Sequence, residues 1–316
     1  MGEYNQKAND IINEVKKVIK GKDIVIKKVL TSMLAQGNIL IEDVPGVGKT
    51  TLALAFSKAM ALECRRMQFT PDVMPSDITG FSIYNKNIQD FQYKQGAIMT
   101  NLFLADEVNR TSSKTQSALL EVMEEGRVTV DGITRSVPKP FIVIATQNPI
   151  GSIGTHILPE SQLDRFMIKL TIGYPDVESE ISILKGKQNN VPLDNIEEVA
   201  TKEDVIAMQE QVEDVFVHDD IFDYIARLVS ETRNNSLIEL GISPRGTVAL
   251  TQIAKASAFV NDRDYVIPED IMECFEDVVS HRIILSQKAK MNNYTVSDVI
   301  SDVRSKISQG KKVKRW

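Results

Sequence analysis

The sequence predicts an α/β protein: a parallel sheet with helices on both faces, followed by a smaller all-helical domain. Three observations predict it. Short continuous apolar runs alternate with helical patterns through the first half of the chain. A glycine-rich loop follows the first of these runs, and beyond Gly173-Tyr174-Pro175-Asp176 only helical periodicity remains. Continuous apolar runs suit strands buried on both faces, and their alternation with helices suits parallel pairing.

The elements follow in order. Asn38-Ile39-Leu40-Ile41 runs into the glycine loop, Asn101-Leu102-Phe103-Leu104-Ala105 runs into two acids, and Phe141-Ile142-Val143-Ile144-Ala145 ends in Thr146-Gln147-Asn148. The runs from Arg65 to Phe69 and from Met167 to Thr171 complete the sheet. In such sheets ligands collect at the carboxyl ends of the strands, where these polar residues sit. A helix over Lys114–Glu125 buries Leu119, Leu120 and Met123 on one face. A hairpin follows, Arg127–Val130 and Ile133–Arg135 around Asp131-Gly132, a strong two-residue turn signal. It is expected to protrude. Helices are then predicted after the capping pair Thr201/Asp204, over Asp219–Arg233, after Ser243-Pro244, after Ile267-Pro268, and over Thr295–Ile307. The expected division is an α/β core over residues 1–175 and a helical domain over 176–316.

Composition narrows the classes of function. The chain has 316 residues, 42% hydrophobic and 25% charged, as in ordinary globular proteins. No stretch approaches the roughly 18 apolar residues of a membrane span, and the polar start of the chain does not resemble a secretory signal. Two distant cysteines suit a reducing compartment, so a cytoplasmic setting is expected. They and the three scattered histidines lack metal-ligand spacing. A net charge of −6 argues against a surface built for nucleic acid. The basic tail Lys311, Lys312, Lys314, Arg315 is a short solvated charge run.

The chemistry begins at Asp43-Val44-Pro45-Gly46-Val47-Gly48-Lys49-Thr50-Thr51. Glycines let backbone N–H groups turn inward around phosphates. Lys49 supplies a cation for the outer phosphates and Thr50 a hydroxyl for Mg²⁺, while the helix from Thr51 aims its N-terminal dipole at the anion. ATP with Mg²⁺ is therefore the expected ligand. Asp43 stands where the pattern asks for glycine, and its tolerance of left-handed backbone is expected to preserve the turn. Asp106, at a strand end, is placed to hold Mg²⁺, and Glu107 to polarise the attacking water. Asn148 ends the next strand, where an amide can orient that water or contact the terminal phosphate. Arg165 fits an arginine finger or a surface ion pair with Asp164 or Glu160. Arg245 lies in a first helical turn against the dipole, which suggests an anion nearby, although a carboxylate partner would also serve.

Taken together these strings resemble the MoxR family of AAA+ ATPases over almost the whole chain. The resemblance is carried by Ile41–Thr50, by Gln68-Phe69-Thr70-Pro71-Asp72 with Pro75–Gly80, and by Leu104–Arg110. It is carried also by Lys114–Glu121, Ala145–Pro149 and Leu158–Phe166. It implies that Lys49 and Thr50 form Walker A, Asp106 and Glu107 Walker B, Asn148 the first sensor, and Arg245 the second sensor of the lid. Arg165 becomes an arginine finger acting on a neighbouring subunit, with Arg110 a second candidate. Residues 78–95 match the family's helix-2 insert and 126–138 its pre-sensor hairpin.

An arginine acting in trans implies head-to-tail assembly, which closes into a ring, here expected to be a hexamer. The resemblance implies an ATP-driven chaperone with a von Willebrand factor A-domain partner or other client complex. Alternatives are a DNA-directed motor and a nucleotide-locked scaffold. Arg245 is expected to lose its contact with the terminal phosphate on hydrolysis and so rotate the lid. Ala97, Ser112-Ser113 and His156-Ile157 depart from the family pattern without touching the nucleotide set.

Overall fold

A computed structural model describes residues 2–148, 158–188 and 192–308. The chain opens with helices α1 (Gly2–Val18) and α2 (Asp23–Leu34), then strand β1 (Ile39–Glu42), α3 (Lys49–Ala59) and β2 (Cys64–Gln68). A short α4 (Pro75–Thr79) leads into the strands β3 (Gly80–Asn85) and β4 (Asp90–Gln95). Then come β5 (Leu102–Asp106), α5 (Ser113–Glu125), β6 (Arg127–Val130), β7 (Ile133–Ser136), β8 (Ile142–Gln147), α6 (Glu160–Leu163) and β9 (Ile168–Leu170). Helices α7 (Val177–Gln188), α8 (Lys202–Glu213) and α9 (Asp219–Asn234) follow, with β10 (Ile238–Leu240), α10 (Pro244–Val260), α11 (Pro268–Val279) and β11 (Ile284–Leu285). The last are α12 (Gln287–Met291) and α13 (Val296–Ser308).

Five strands form one sheet in the order β2-β5-β8-β1-β9, and every pairing in it is parallel. The apolar runs are its centre, where all of β5 and residues 142–145 of β8 are buried. Alternation sorts their side chains onto two faces. Ile39, Ile41, Leu102, Leu104, Ile142 and Ile144 join one cluster with α1, α2 and α3. Leu40, Phe103, Ala105, Val143 and Ala145 face Leu119, Leu120 and Met123 of α5 in the other. Helices thus cover both faces. Each fully buried Leu, Ile or Phe contributes roughly 1.5–3 kcal/mol of burial free energy.

Both hairpins are local products of their turns. Asp131 and Gly132 join β6 to β7 at φ 52° and 76°, the paired positive values of a type I′ turn. The β3–β4 hairpin lies beside it, with Arg135 stacked 4.0 Å over the Tyr93 ring. Its side chains Phe81, Tyr84, Ile88 and Phe91 are exposed.

The helices expected after Pro175 are present, with their caps. Thr201 and Asp204 form a reciprocal capping box, and the Ser243 hydroxyl accepts from the Gly246 N–H. Between them β10 and β11 pair antiparallel. Strands of two and three residues are too short to leave a period-two pattern. The first cluster also runs on into this region: Val205, Met208, Leu250, Ile253 and Phe259 belong to it together with Ile11, Val15 and Leu30. Polar contacts follow the same path. Asn5 Nδ2 donates to the Phe259 carbonyl (2.5 Å), Gln209 Nε2 to the Met33 carbonyl (2.8 Å), and Lys7 pairs with Asp204 at 2.7 Å. His156, Ile157 and the basic tail lie outside the described residues.

Candidate functional site

The glycine loop connects β1 to α3, so the sheet delivers it to a helix N-terminus. Gly46 and Gly48 have φ of 90° and 93°, values L side chains avoid. A methyl built at either meets no atom within 4 Å, which leaves the mouth of the loop open. Asp43 does not act as expected, since it is not among the residues with positive φ. Its side chain organises the turn instead. Oδ1 accepts from its neighbour's N–H at Val44 (2.8 Å), and Oδ2 from Ile172 (2.8 Å) and Gly173 (2.6 Å). The acid thereby ties the loop to the segment after β9. Lys49 is nearly buried, with Nζ 2.6 Å from the Asp43 carbonyl oxygen. Burial lowers its ammonium pKa, opposed by the charges of Asp43, Asp106 and Glu107. Thr50 and Thr51 follow in the first turn of α3.

Register brings the second group alongside. β1, β8 and β5 are neighbours, with Glu42 opposite Gln147 and Ala105 opposite Ala145. Asp43, Asp106 and Asn148 therefore emerge at one edge of the sheet, its carboxyl end. Asp106 Oδ1 accepts from the Thr146 hydroxyl at 2.6 Å, and Oδ2 from Arg66 Nη2 at 2.7 Å. Glu107 sits in left-handed backbone (φ 57°, ψ 50°), its N–H donating to Thr146 Oγ1 at 2.9 Å. Its carboxylate takes Arg110 Nη1 at 2.7 Å, so Arg110 is engaged within its own chain. The Asn148 carbonyl accepts from Asn109 Nδ2 at 3.3 Å. Thr146 and Arg66 escaped the sequence reading. Their roles depend on cross-strand neighbours rather than on a local string.

Arg165 and Arg245 lie elsewhere. Arg165 precedes β9, where the Met167 N–H meets the Asn38 carbonyl before β1 begins. Asn38 also reaches the Met123 carbonyl near the end of α5. The adjacent Glu124 pairs with both arginines: Arg165 Nε lies 3.1 Å from Oε2, and Arg245 Nη2 contacts Oε1. This is the amino end of the sheet. Parallel strands advance about 3.3 Å per residue, so the four residues of β1 put roughly 13 Å between this pair and the loop. The expected contact of Arg245 with a terminal phosphate is thus not available within one chain. The surface pairing considered for Arg165 is made with Glu124, not with Asp164 or Glu160.

Behind Arg165, Arg282 is inserted into the core with only 2% of its side chain exposed. Beside it His281 is buried, its Nε2 3.0 Å from the Phe166 carbonyl. Burial, helped by the Arg282 cation, holds its imidazole well below the ordinary value of 6.5. The unfolded chain takes up a proton below about pH 6.5 that the folded chain refuses, so stability is complete above that pH and falls beneath it. We expect up to about 1.4 kcal/mol lost per pH unit in that window. Urea unfolding at pH 5.0, 6.0 and 7.5 checks it, and a His281→Gln chain should lack this part of the slope.

A cavity of about 1080 Å³ opens beside the loop, lined among others by Gly21, Lys22, Ile24, Thr171, Ile172 and Asp277. It meets the loop through Ile172, whose N–H is held by Asp43.

Comparison with known proteins fits this geometry. Residues 38–168, the span from just before β1 to the start of β9, match the family described as ATPase family associated with various cellular activities (AAA). Residues 230–303 match the AAA lid domain. The chain is 45% identical to the uncharacterized protein YeaC of Bacillus subtilis, over 94% of this chain and 92% of that one. It is 38% identical to the chaperone MoxR1 of Mycobacterium tuberculosis, over 92% of this chain and 79% of the relative. A crystal structure of a candidate ATPase from Cytophaga hutchinsonii superposes with a TM-score of 0.90 at 39% identity, covering 96% of this chain and 95% of the other. With a P-loop at one end of its sheet, paired acids at the same end one strand beyond β8, and a lid behind, all matched over nearly its full length by such relatives, the chain belongs to the MoxR family of AAA+ ATPases.

Proposed function

We propose that this ATPase is Mg²⁺-dependent and assembles head-to-tail into a hexameric ring, in which Arg165 and Arg245 of one subunit complete the P-loop site of the next. Turnover in that ring drives the remodelling or activation of a client protein complex. The observation that carries this reading is the separation of the two arginines from their own loop. A finger and a sensor at the amino end of the sheet serve a nucleotide only across an interface.

The donor set fits Mg²⁺ and a triphosphate. Asp106 and the Thr50 hydroxyl are hard oxygen ligands, and the open mouth over Gly46 and Gly48 leaves room for phosphate oxygens. The metal would supply charge neutralisation at those oxygens. Lys49 exchanges the Asp43 carbonyl for the outer phosphates. Glu107 leaves Arg110 to accept a proton from the attacking water, which Asn148 orients. The cavity beside Ile172 takes the nucleoside end. Because Arg245 rides on α10, loss of a neighbour's phosphate releases the lid, and with it the whole subunit that carries the arginine, from that neighbour.

The relative MoxR1 is called a chaperone, which supports a protein client, with a von Willebrand factor A-domain partner the favoured kind. We divide the chain into a core over 1–175, bearing the 78–95 insert and the 126–138 hairpin, and a lid over 176–316. No described helix is long and apolar enough to cross a membrane. The free, widely separated Cys64 and Cys274 agree with work in the cytoplasm.

Sedimentation tests the assembly. With ATP and Mg²⁺, a Glu107→Gln chain should sediment as a hexamer. A monomer at every concentration would overturn the ring. ATPase activity stimulated by DNA, and lost steeply with salt, would instead favour a DNA-directed motor.

A further inference from the structure

We propose that Arg282 is a positioning residue for the neighbouring subunit's ATPase site, its buried guanidinium setting the placement of Arg165 and Arg245 together. The inference rests on the trans arrangement argued above and adds the device that keeps the two arginines in register. They come from different parts of the chain, the turn before β9 and the first turn of α10, and one side chain touches both.

On the first side Arg282 grips the finger segment. Its Nε donates to Asp164 Oδ1 at 2.7 Å, and its Nη2 to the Asp164 and Phe166 carbonyls at 3.1 and 2.6 Å. Its Nη1 donates to the Met167 carbonyl at 3.0 Å. Residues 164, 166 and 167 are all held, and residue 165 between them is left to reach Glu124. On the second side, Asp164 Oδ2 accepts from the Ser243 hydroxyl at 2.8 Å, and Ser243 caps the helix that carries Arg245. Gly246 completes the contact. A Cβ there would lie 2.8 Å from Arg282 Cδ, so only glycine lets the first turn of α10 rest on the guanidinium stem.

The geometry needs a fork. A guanidinium presents five donors in one plane, while a lysine ammonium offers three from a point and cannot span Asp164, Phe166 and Met167 together. Glu124 then draws the two arginines toward one carboxylate. Arg282 touches no reacting atom, and its influence passes entirely through the segments it holds.

Mixed oligomers separate this role from a general loss of structure. Chains carrying Lys49→Ala and Arg165→Ala are each expected to be inactive. Mixed in equal amounts they should recover on the order of a quarter of wild-type turnover, because random head-to-tail pairing restores that share of intact interfaces. Arg282→Lys should bind ATP with wild-type affinity and lose kcat by about 10²-fold or more, as expected when finger residues are misplaced. Mixed with Lys49→Ala it should recover like the control, and mixed with Arg165→Ala it should not. Wild-type turnover in Arg282→Lys, weakened ATP affinity, or recovery with Arg165→Ala would overturn the proposal. If Arg282→Lys does not fold by circular dichroism, Ser243→Ala takes its place. It should show a smaller kcat loss with the same complementation pattern, and unchanged kcat there overturns the proposal. Failure of the Lys49→Ala and Arg165→Ala control removes the trans arrangement itself; success of that control with no rescue of Arg282→Lys removes only the role of Arg282.

Discussion

Arg165→Ala is expected to lower ATP turnover by about 10³- to 10⁵-fold, the range in which arginine fingers act. ATP affinity should remain close to that of the parent, because Arg165 stands at the end of the sheet opposite its own P-loop. Steady-state hydrolysis together with fluorescent-nucleotide binding measures both. Stability should change little, since among the described residues the guanidinium pairs with the half-exposed Glu124, and surface pairs of this kind contribute about 0–1 kcal/mol. Arg110→Ala is the comparator. Arg110 is committed to Glu107 in its own chain, so its loss should cost far less turnover than that of Arg165. A variant without Arg165 that keeps most of its turnover would remove the finger from this mechanism.

Glu107→Gln should reduce hydrolysis by about 10²- to 10⁴-fold, the usual contribution of general-base catalysis. The backbone of residue 107 is already held in the left-handed region by the Thr146 hydroxyl, and glutamine keeps the shape and the N–H. The substitution therefore removes basicity and the ion pair with Arg110, and ATP should be retained rather than turned over. Single-turnover hydrolysis against equilibrium binding distinguishes the two effects. Parent-like hydrolysis in this variant would mean that another group activates the water.

The fold and the nucleotide strings were legible in the sequence because both are local. A strand such as Leu102–Asp106 is apolar at nearly every position, so it declares its burial on both faces and ends on its own functional acids. The P-loop declares itself through glycines at fixed spacing. What could not be read depends on partners distant in sequence. Thr146 is an ordinary strand residue until β5 is laid beside β8. Arg282 is one of many basic residues until α11 delivers it behind β9. Asp43 illustrates the limit from another side, where the position was recognised but its reason was mistaken. The residue works as a side-chain acceptor for three backbone N–H groups rather than as a substitute for glycine. The N-terminal helix was overlooked beneath its polar composition, although Ala8, Ile11, Ile12 and Val15 make a helical stripe.

That helix carries a mechanical consequence. Because α1 and α2 are embedded in α8 and α10 as firmly as in α3, the lid and the body of a subunit share one close-packed interior, which deforms little under load. Such a subunit behaves as a solid wedge. In the ring we propose, work released at one interface would be passed around the circle as tilting of whole wedges, with the compliant joints lying between protomers, and the force on a client would arise from how the wedges lean rather than from any one of them flexing.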